Sequence, residues 1–219
     1  MQSKTTKTNA FIGLQEARIE TVFMVNCRVG RPTNASRRDR EYLLESEITR
    51  LLTATKENKD TFLATRNYLI ILLSYRHGLR ISELINLKWE QVELEEARIH
   101  IKRLKGSNSG VHPMAADECR LCAKLRSRQP TKSPWMFTSK TGLVLTRDGV
   151  TKALAAVCAI AKLEIKFHHH MLRHSCGYAL AAKGADTRLI QEYLGHRSIE
   201  HTVTYTALDS ARFENLWGK

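Results

Sequence analysis

His170 and Arg173 stand three residues apart in the run HHHMLRHS, and Tyr205 lies nine residues beyond His196 in LGHRSIEHTVTYT. Residues three apart on a helix share a face, so a helix from about 170 to 183 aims an imidazole and a guanidinium the same way. Two side chains that can be cationic, aimed together, suit a phosphate better than a neutral substrate. A tyrosine delivered beside them can attack phosphorus. Two further cations invite the same use: Arg80, just after Gly78, and Lys105, in the turn-forming stretch KGSNSG. Singly, each has a plain reading. An arginine near a helix end serves the dipole, a turn lysine is solvated, and a histidine after a glycine cap packs. Tyr205 alone is a half-buried core tyrosine with a satisfied hydroxyl.

The elements that must position these residues are mostly helical. Leu43, Leu44, Ile48, Leu51 and Leu52 recur at helical intervals, with Ser46 placed to cap. A second helix is predicted near Thr61 to His77, closed by Gly78 at a left-handed C-cap, and a short one follows, packing Leu84, Ile85 and Leu87. The period then changes. Residues 98–102 alternate like a strand, Lys105 to Gly110 is turn chemistry, and Val111 to Met114 returns, which predicts a β-hairpin with Lys105 at its tip. Helices follow over 115–128 and 146–163, with a short Trp135-Met136-Phe137 strand between them. Three helical pieces close the chain at about 169–183, 186–194 and 201–207. The expected fold class is mainly α with a small antiparallel β-sheet, an α+β domain.

Composition narrows the partner. The 219 residues carry 35 Lys+Arg against 22 Asp+Glu, a formal charge of +13, an excess that favours a polyanion such as nucleic acid. Hydrophobic residues make up 42%, which excludes a disordered composition. The longest apolar run, Tyr68 to Tyr75, is too short to span a bilayer. The start, MQSKTTKTNA, has no apolar core of a signal peptide, and five cysteines without zinc spacing read as structural thiols in a reducing cytoplasm. Three successive histidines on a helix point different ways, so His168 to His170 do not make a metal site. Residues 1–40 form a basic N-terminal arm, with Arg37, Arg38 and Arg40, suited to a phosphate backbone or to solvent.

Order and spacing together are more specific than any one residue. HGLRISEL around Arg80, RLKGSNSGVHPM around Lys105, HHHMLRHS and YLGHRSIEHTVTYT together resemble the tyrosine recombinase (phage integrase) family over about residues 41 to 213. The likeness is strongest to the short bacterial DNA invertases that switch a fimbrial promoter. It implies a catalytic domain over 41–219 and six catalytic residues: Arg80, Lys105, His170, Arg173, His196 and the nucleophile Tyr205. Arg80 and Arg173 would bracket the phosphate's non-bridging oxygens, Tyr205 would form a 3′-phosphotyrosyl link, and His170 would take the phenol proton. Lys105 would protonate the departing 5′-oxygen, and His196 would donate a hydrogen bond to the same phosphate. No cofactor is implied: the covalent link conserves the bond energy, so no ATP is needed, and the cationic side chains do the electrostatic work a metal would otherwise do.

The expected partners are double-stranded DNA with inverted-repeat sites, a homotetramer on two sites, and possible accessory DNA-bending proteins. The expected location is the bacterial cytoplasm, at the nucleoid. The same chemistry serves type IB topoisomerases, and a catalytically inactive DNA-binding regulator would keep the fold. The apolar tail, with Phe213, Leu216 and Trp217, would pack on its own core or on a neighbouring protomer.

Overall fold

A computed structural model of the chain describes residues 40–103 and 108–206. Lys105, the basic arm up to residue 39 and the apolar tail lie outside those residues. Along the rest run α1 (Glu45–Ala54), α2 (Thr61–Arg76), α3 (Ile81–Ile85), β1 (Val92–Glu93), β2 (Arg98–Ile101), β3 (Gly110–Pro113), α4 (Ala116–Arg128), α5 (Arg147–Ile160), α6 (His170–Ala182), α7 (Thr187–Leu194) and α8 (Glu200–Thr206). The three strands form one antiparallel sheet in sequence order, with Val92 opposite Ile99 and Ile99 opposite His112. The mainly α fold with a small antiparallel sheet is as expected. No helix among the described residues is long and apolar enough to cross a membrane.

The organising helix is α2. Asp60 caps it, its carboxylate accepting from the amides of Phe62 and Leu63. Leu69, Ile70, Ile71, Leu72 and Leu73 are all buried, so this helix is apolar on every side and belongs inside. It stops where Gly78 takes φ +58°, a left-handed turn that a glycine makes without strain. A Cβ at this position would also collide with Leu194 on α7. One glycine thus ends α2, admits the C-terminus of α7 and releases the chain toward Arg80.

Three helices start by a shared device. No side chain of the leading residue caps α1, α3 or α4; instead the third helical residue, a glutamate, reaches back to the free backbone amide. Glu47 accepts from the amide of Leu44 at 2.7 Å, Glu83 from that of Arg80 at 2.9 Å and Glu118 from that of Ala115 at 2.7 Å. Ser46, expected to cap, lies inside α1. The expected strand at 135–137 is reduced to isolated bridges, Lys88 to Trp135 and Thr138 to Val144. The third strand is instead β1, whose two residues are too few to show an alternating pattern.

A main core runs from α1 through α2, the sheet, α4 and α5 to Met171 and Leu172. A second, smaller cluster joins Cys176, Ala181, Ile190, Leu194 and Tyr205, and so ties α6, α7 and α8 together.

Candidate active site

Four segments meet at one cleft of about 370 Å³, lined by Arg80, His170, Arg173, His174, His196, Glu200, His201, Thr204 and Tyr205. Arg80 opens α3, and its guanidinium rests on Glu83 Oε1 at 2.7 Å while staying 30% exposed. Arg173 projects from the buried side of α6 and is 1% exposed. It donates through Nη1 to the carbonyl of Gly78 and through Nη2 to that of Leu194. Neither acceptor carries a formal charge. Burial therefore pulls its pKa down to about 9, helped by Arg103 and Arg80 and opposed by Glu83. The guanidinium is still cationic at neutral pH, and an incoming anion would relieve its electrostatic cost.

Glu83 is the carboxylate inside this cluster. Burial alone would raise its pKa, but Arg103 and Arg80 outweigh that and hold it below the ordinary range. Three guanidiniums thus face one buried carboxylate, with Glu200 on the exposed rim. The excess is positive, and a low-dielectric wall strengthens its pull on an anion.

His196 sits one residue past Gly195, which closes α7 at φ +65°. A Cβ at Gly195 would come within 2.7 Å of the Asn108 carbonyl oxygen, so the turn lies hard against the end of the hairpin. His196 Nδ1 is 2.9 Å from the Thr202 hydroxyl. Burial, with Arg173 and Arg80 nearby, pushes its pKa down to about 3, so it is neutral at physiological pH. In the tautomer where Nδ1 accepts from the Thr202 hydroxyl, the proton sits on Nε2 and that edge is a hydrogen-bond donor.

Tyr205 is 3% exposed and its hydroxyl is 3.0 Å from His174 Nδ1. Its ring lies over Gly177, where a Cβ would come within 2.6 to 2.7 Å of three ring atoms. Burial pushes the phenol up to about 12, with Arg173 and Arg80 pulling the other way. A phenol held this way is protonated at neutral pH and would need a base to take its proton before its oxygen could act as a nucleophile. The His174 pKa is lowered, chiefly by burial, so its ring is a neutral acceptor. His170 packs edge-on against His174, centroids 4.6 Å apart, and its pKa is also lowered by burial and by His174 and Arg173.

The structure brings Arg80, His170, Arg173, His196 and Tyr205 to one cleft; Lys105 is outside the described residues. The neighbouring histidines divide. His168 meets Glu41 at 3.0 Å and His169 is buried against the Ser74 hydroxyl at 2.9 Å. Sequence reasoning passed over His174, which holds the phenol. Its signal was available: His170 and His174 are one helical turn apart, four residues, on the face that carries Arg173. It also passed over Arg103, whose partners lie up to 90 positions away and leave no local trace.

The phage integrase family model matches residues 41–212. The chain is 42% identical over 183 residues to the type 1 fimbriae regulatory protein FimE of Escherichia coli (strain K12), covering 81% of this chain and 91% of that one. It is 40% identical over 189 residues to FimB of the same strain, covering 84% and 93%. Among solved structures it resembles the XerA recombinase, with TM-score 0.67 and 28% identity, over 80% of this chain and 63% of that one. It also resembles the XerH site-specific recombinase bound to palindromic difH substrate in a post-cleavage complex, with TM-score 0.69 and 28% identity, over 85% and 56%. It thus spans somewhat more than half the length of those two solved chains.

Proposed function

The chain belongs to the phage integrase family of tyrosine recombinases, and on that premise we propose that it is a site-specific DNA recombinase that inverts a promoter segment controlling fimbrial phase variation. The observation that carries the chemistry is the convergence of Arg80, Arg173, His196 and Tyr205 on one cleft with an excess of positive charge. The similarity to FimE and FimB over most of both chains supports the fimbrial switch.

In the proposed reaction, DNA lays one phosphodiester in the cleft. Arg80 and Arg173 contact its non-bridging oxygens and offset the charge that grows in the pentacoordinate transition state. The Tyr205 oxygen bonds to phosphorus, the bond to the 5′-oxygen breaks, and a 3′-phosphotyrosyl link replaces it. The leaving oxygen takes a proton from Lys105, and His196 donates to the phosphate. The phenol proton passes to a histidine. The resemblance assigns that role to His170; the hydrogen bond to Tyr205 favours His174 as the first acceptor, with His170 against it. Attack by the 5′-hydroxyl of another strand reverses the chemistry and exchanges partners. Recombinases on each half-site of two duplexes make a homotetramer, with accessory DNA-bending proteins assisting synapsis at the nucleoid. In this reading residues 41–219 are the catalytic domain and residues 1–40 a basic arm that precedes it.

The test uses nicked half-sites made from the inverted repeats beside the gene. The protein should form an adduct that survives denaturant, and Tyr205→Phe should bind the DNA equally well but form none. In the same assay His174→Gln should slow adduct formation more than His170→Gln; the opposite order returns the base to His170. An adduct that persists in Tyr205→Phe refutes the assignment of the nucleophile. Relaxation of supercoiled plasmid without inversion would point instead to a topoisomerase.

A further inference from the structure

We propose that Arg103 is a positioning residue for this reaction, fixing the distance between the Arg80 loop and the turn that carries His196. The inference rests on the recombinase reading and deepens it. Arg103 follows β2, and its side chain is 1% exposed. It makes four hydrogen bonds to three separate segments. Nη1 donates to Glu83 Oε2 at 2.7 Å and to the Gly78 carbonyl at 3.2 Å; Nη2 donates to the carbonyls of His77 at 3.1 Å and Tyr193 at 2.8 Å. Arg173 bridges the same two stretches of backbone, from Gly78 to Leu194. Two guanidiniums therefore clamp residues 77–78 to residues 193–194 in parallel. Arg173 faces the cleft, and Arg103 is buried behind it.

Glu83 shows what the clamp does for the chemistry. Its Oε1 accepts from the Arg80 guanidinium, while Oε2 is shared between Arg103 Nη1 and the backbone amide of Arg80. Removing Arg103 leaves Glu83 Oε2 with the Arg80 amide alone and vacates one of its acceptor positions, which the Arg80 guanidinium can take to make a bidentate pair, a stronger geometry that draws it off the cleft. The same loss slackens the Tyr193 carbonyl, two residues before Gly195, whose Cβ position lies 3.0 Å from Arg103 Cγ. His196 follows directly. Because its planar fork reaches four acceptors, a lysine is not an equivalent substitute.

The experiment compares wild type, Arg103→Met and Arg103→Lys at saturating half-site DNA, on a phosphodiester and on an uncharged methylphosphonate at the cleavage position. We expect DNA affinity within about threefold of wild type and an adduct rate at least about tenfold lower for Arg103→Met, with Arg103→Lys between. On the methylphosphonate the ratio of wild type to variant should shrink to within about threefold, since no charged oxygen is left to neutralise. Arg103→Lys carries the test where the methionine variant does not fold. A lowered melting temperature with an unchanged adduct rate per folded molecule overturns the proposal, as does an equally large defect on both substrates. If wild type itself forms no adduct, the recombinase reading fails and takes this one with it; a competent wild type isolates the failure to Arg103.

Discussion

Substituting Gly177 with alanine tests whether Tyr205 works from the seat in which it is found. Gly177 is buried within α6, and an alanine methyl would sit 2.6 to 2.7 Å from three atoms of the Tyr205 ring. Ordinary carbon contacts are about 3.5–4.0 Å, so the ring must retreat by about 1 Å. It is the partner that gives way, because α6 is anchored by Arg173 and Ser175 whereas α8 has only seven residues. Overpacking costs about 1–3 kcal/mol, and alanine regains about 1 kcal/mol of helix propensity over glycine. A net loss of about 0–2 kcal/mol lowers the melting temperature by no more than roughly 8 °C in a domain this size. Chemistry should suffer far more, since a 1 Å misplacement of a reacting group costs up to about a hundredfold. The assay is adduct formation on a nicked half-site at saturating DNA, with melting and DNA affinity measured in parallel. A folded Gly177→Ala protein that forms adduct at the wild-type rate would refute the reasoning, and would mean that Tyr205 attacks from elsewhere once DNA is bound.

Arg173→Lys should lower the adduct rate by at least about a hundredfold with little loss of DNA binding, because a lysine cannot hold two carbonyls and grip a phosphate together. Burial and the neighbouring guanidiniums bring even Arg173 down to about 9, and the same surroundings would pull an ammonium below its ordinary range. Raising the pH from 6.5 to 8 should therefore deepen the defect of the lysine variant while leaving wild type unaffected by this group. Stability should fall in acid. Burial holds His169 at about 4 against an unfolded value of 6.5, so between those values the unfolded chain binds more protons and stability rises with pH, levelling off above 6.5. Moving from pH 7 to 5 should cost about 2 kcal/mol through this residue. His169→Gln should flatten the difference between urea midpoints at those two pH values by that amount, and an unaltered difference would show that His169 is not the group.

Much of this fold was legible because its helices are punctuated. Gly78, Gly184 and Gly195 all have positive φ where helices were expected to stop, and the wholly apolar run of α2 left it no place but the interior. The sheet was half legible: β2 and β3 alternate, while β1 is a two-residue strand defined by its partner alone. In the candidate site, Arg80, His170, Arg173, His196 and Tyr205 were singled out by type and order, and the structure places all five on one cleft. The contacts that make them a site were not legible. Arg173 is held by backbone oxygens, and a carbonyl looks the same in every residue type. The seat of Tyr205 is an absence, the missing side chain of Gly177, and nothing in the surrounding residues marks one helical glycine as a cradle for a ring 28 positions away.

Those carbonyl anchors decide which kinds of change the centre tolerates. The oxygens that Arg173 takes at 78 and 194 belong to the main chain, so the latch itself reads backbone path and residue count, while glycine at 78 is required separately by its turn and by the approach of Leu194. Dropping or adding one residue just before Arg80 or Gly195 would present the wrong oxygen, or none, to a guanidinium that cannot follow. Length in these two short stretches is therefore the quantity a redesign must hold fixed, while lettering at the rim can drift.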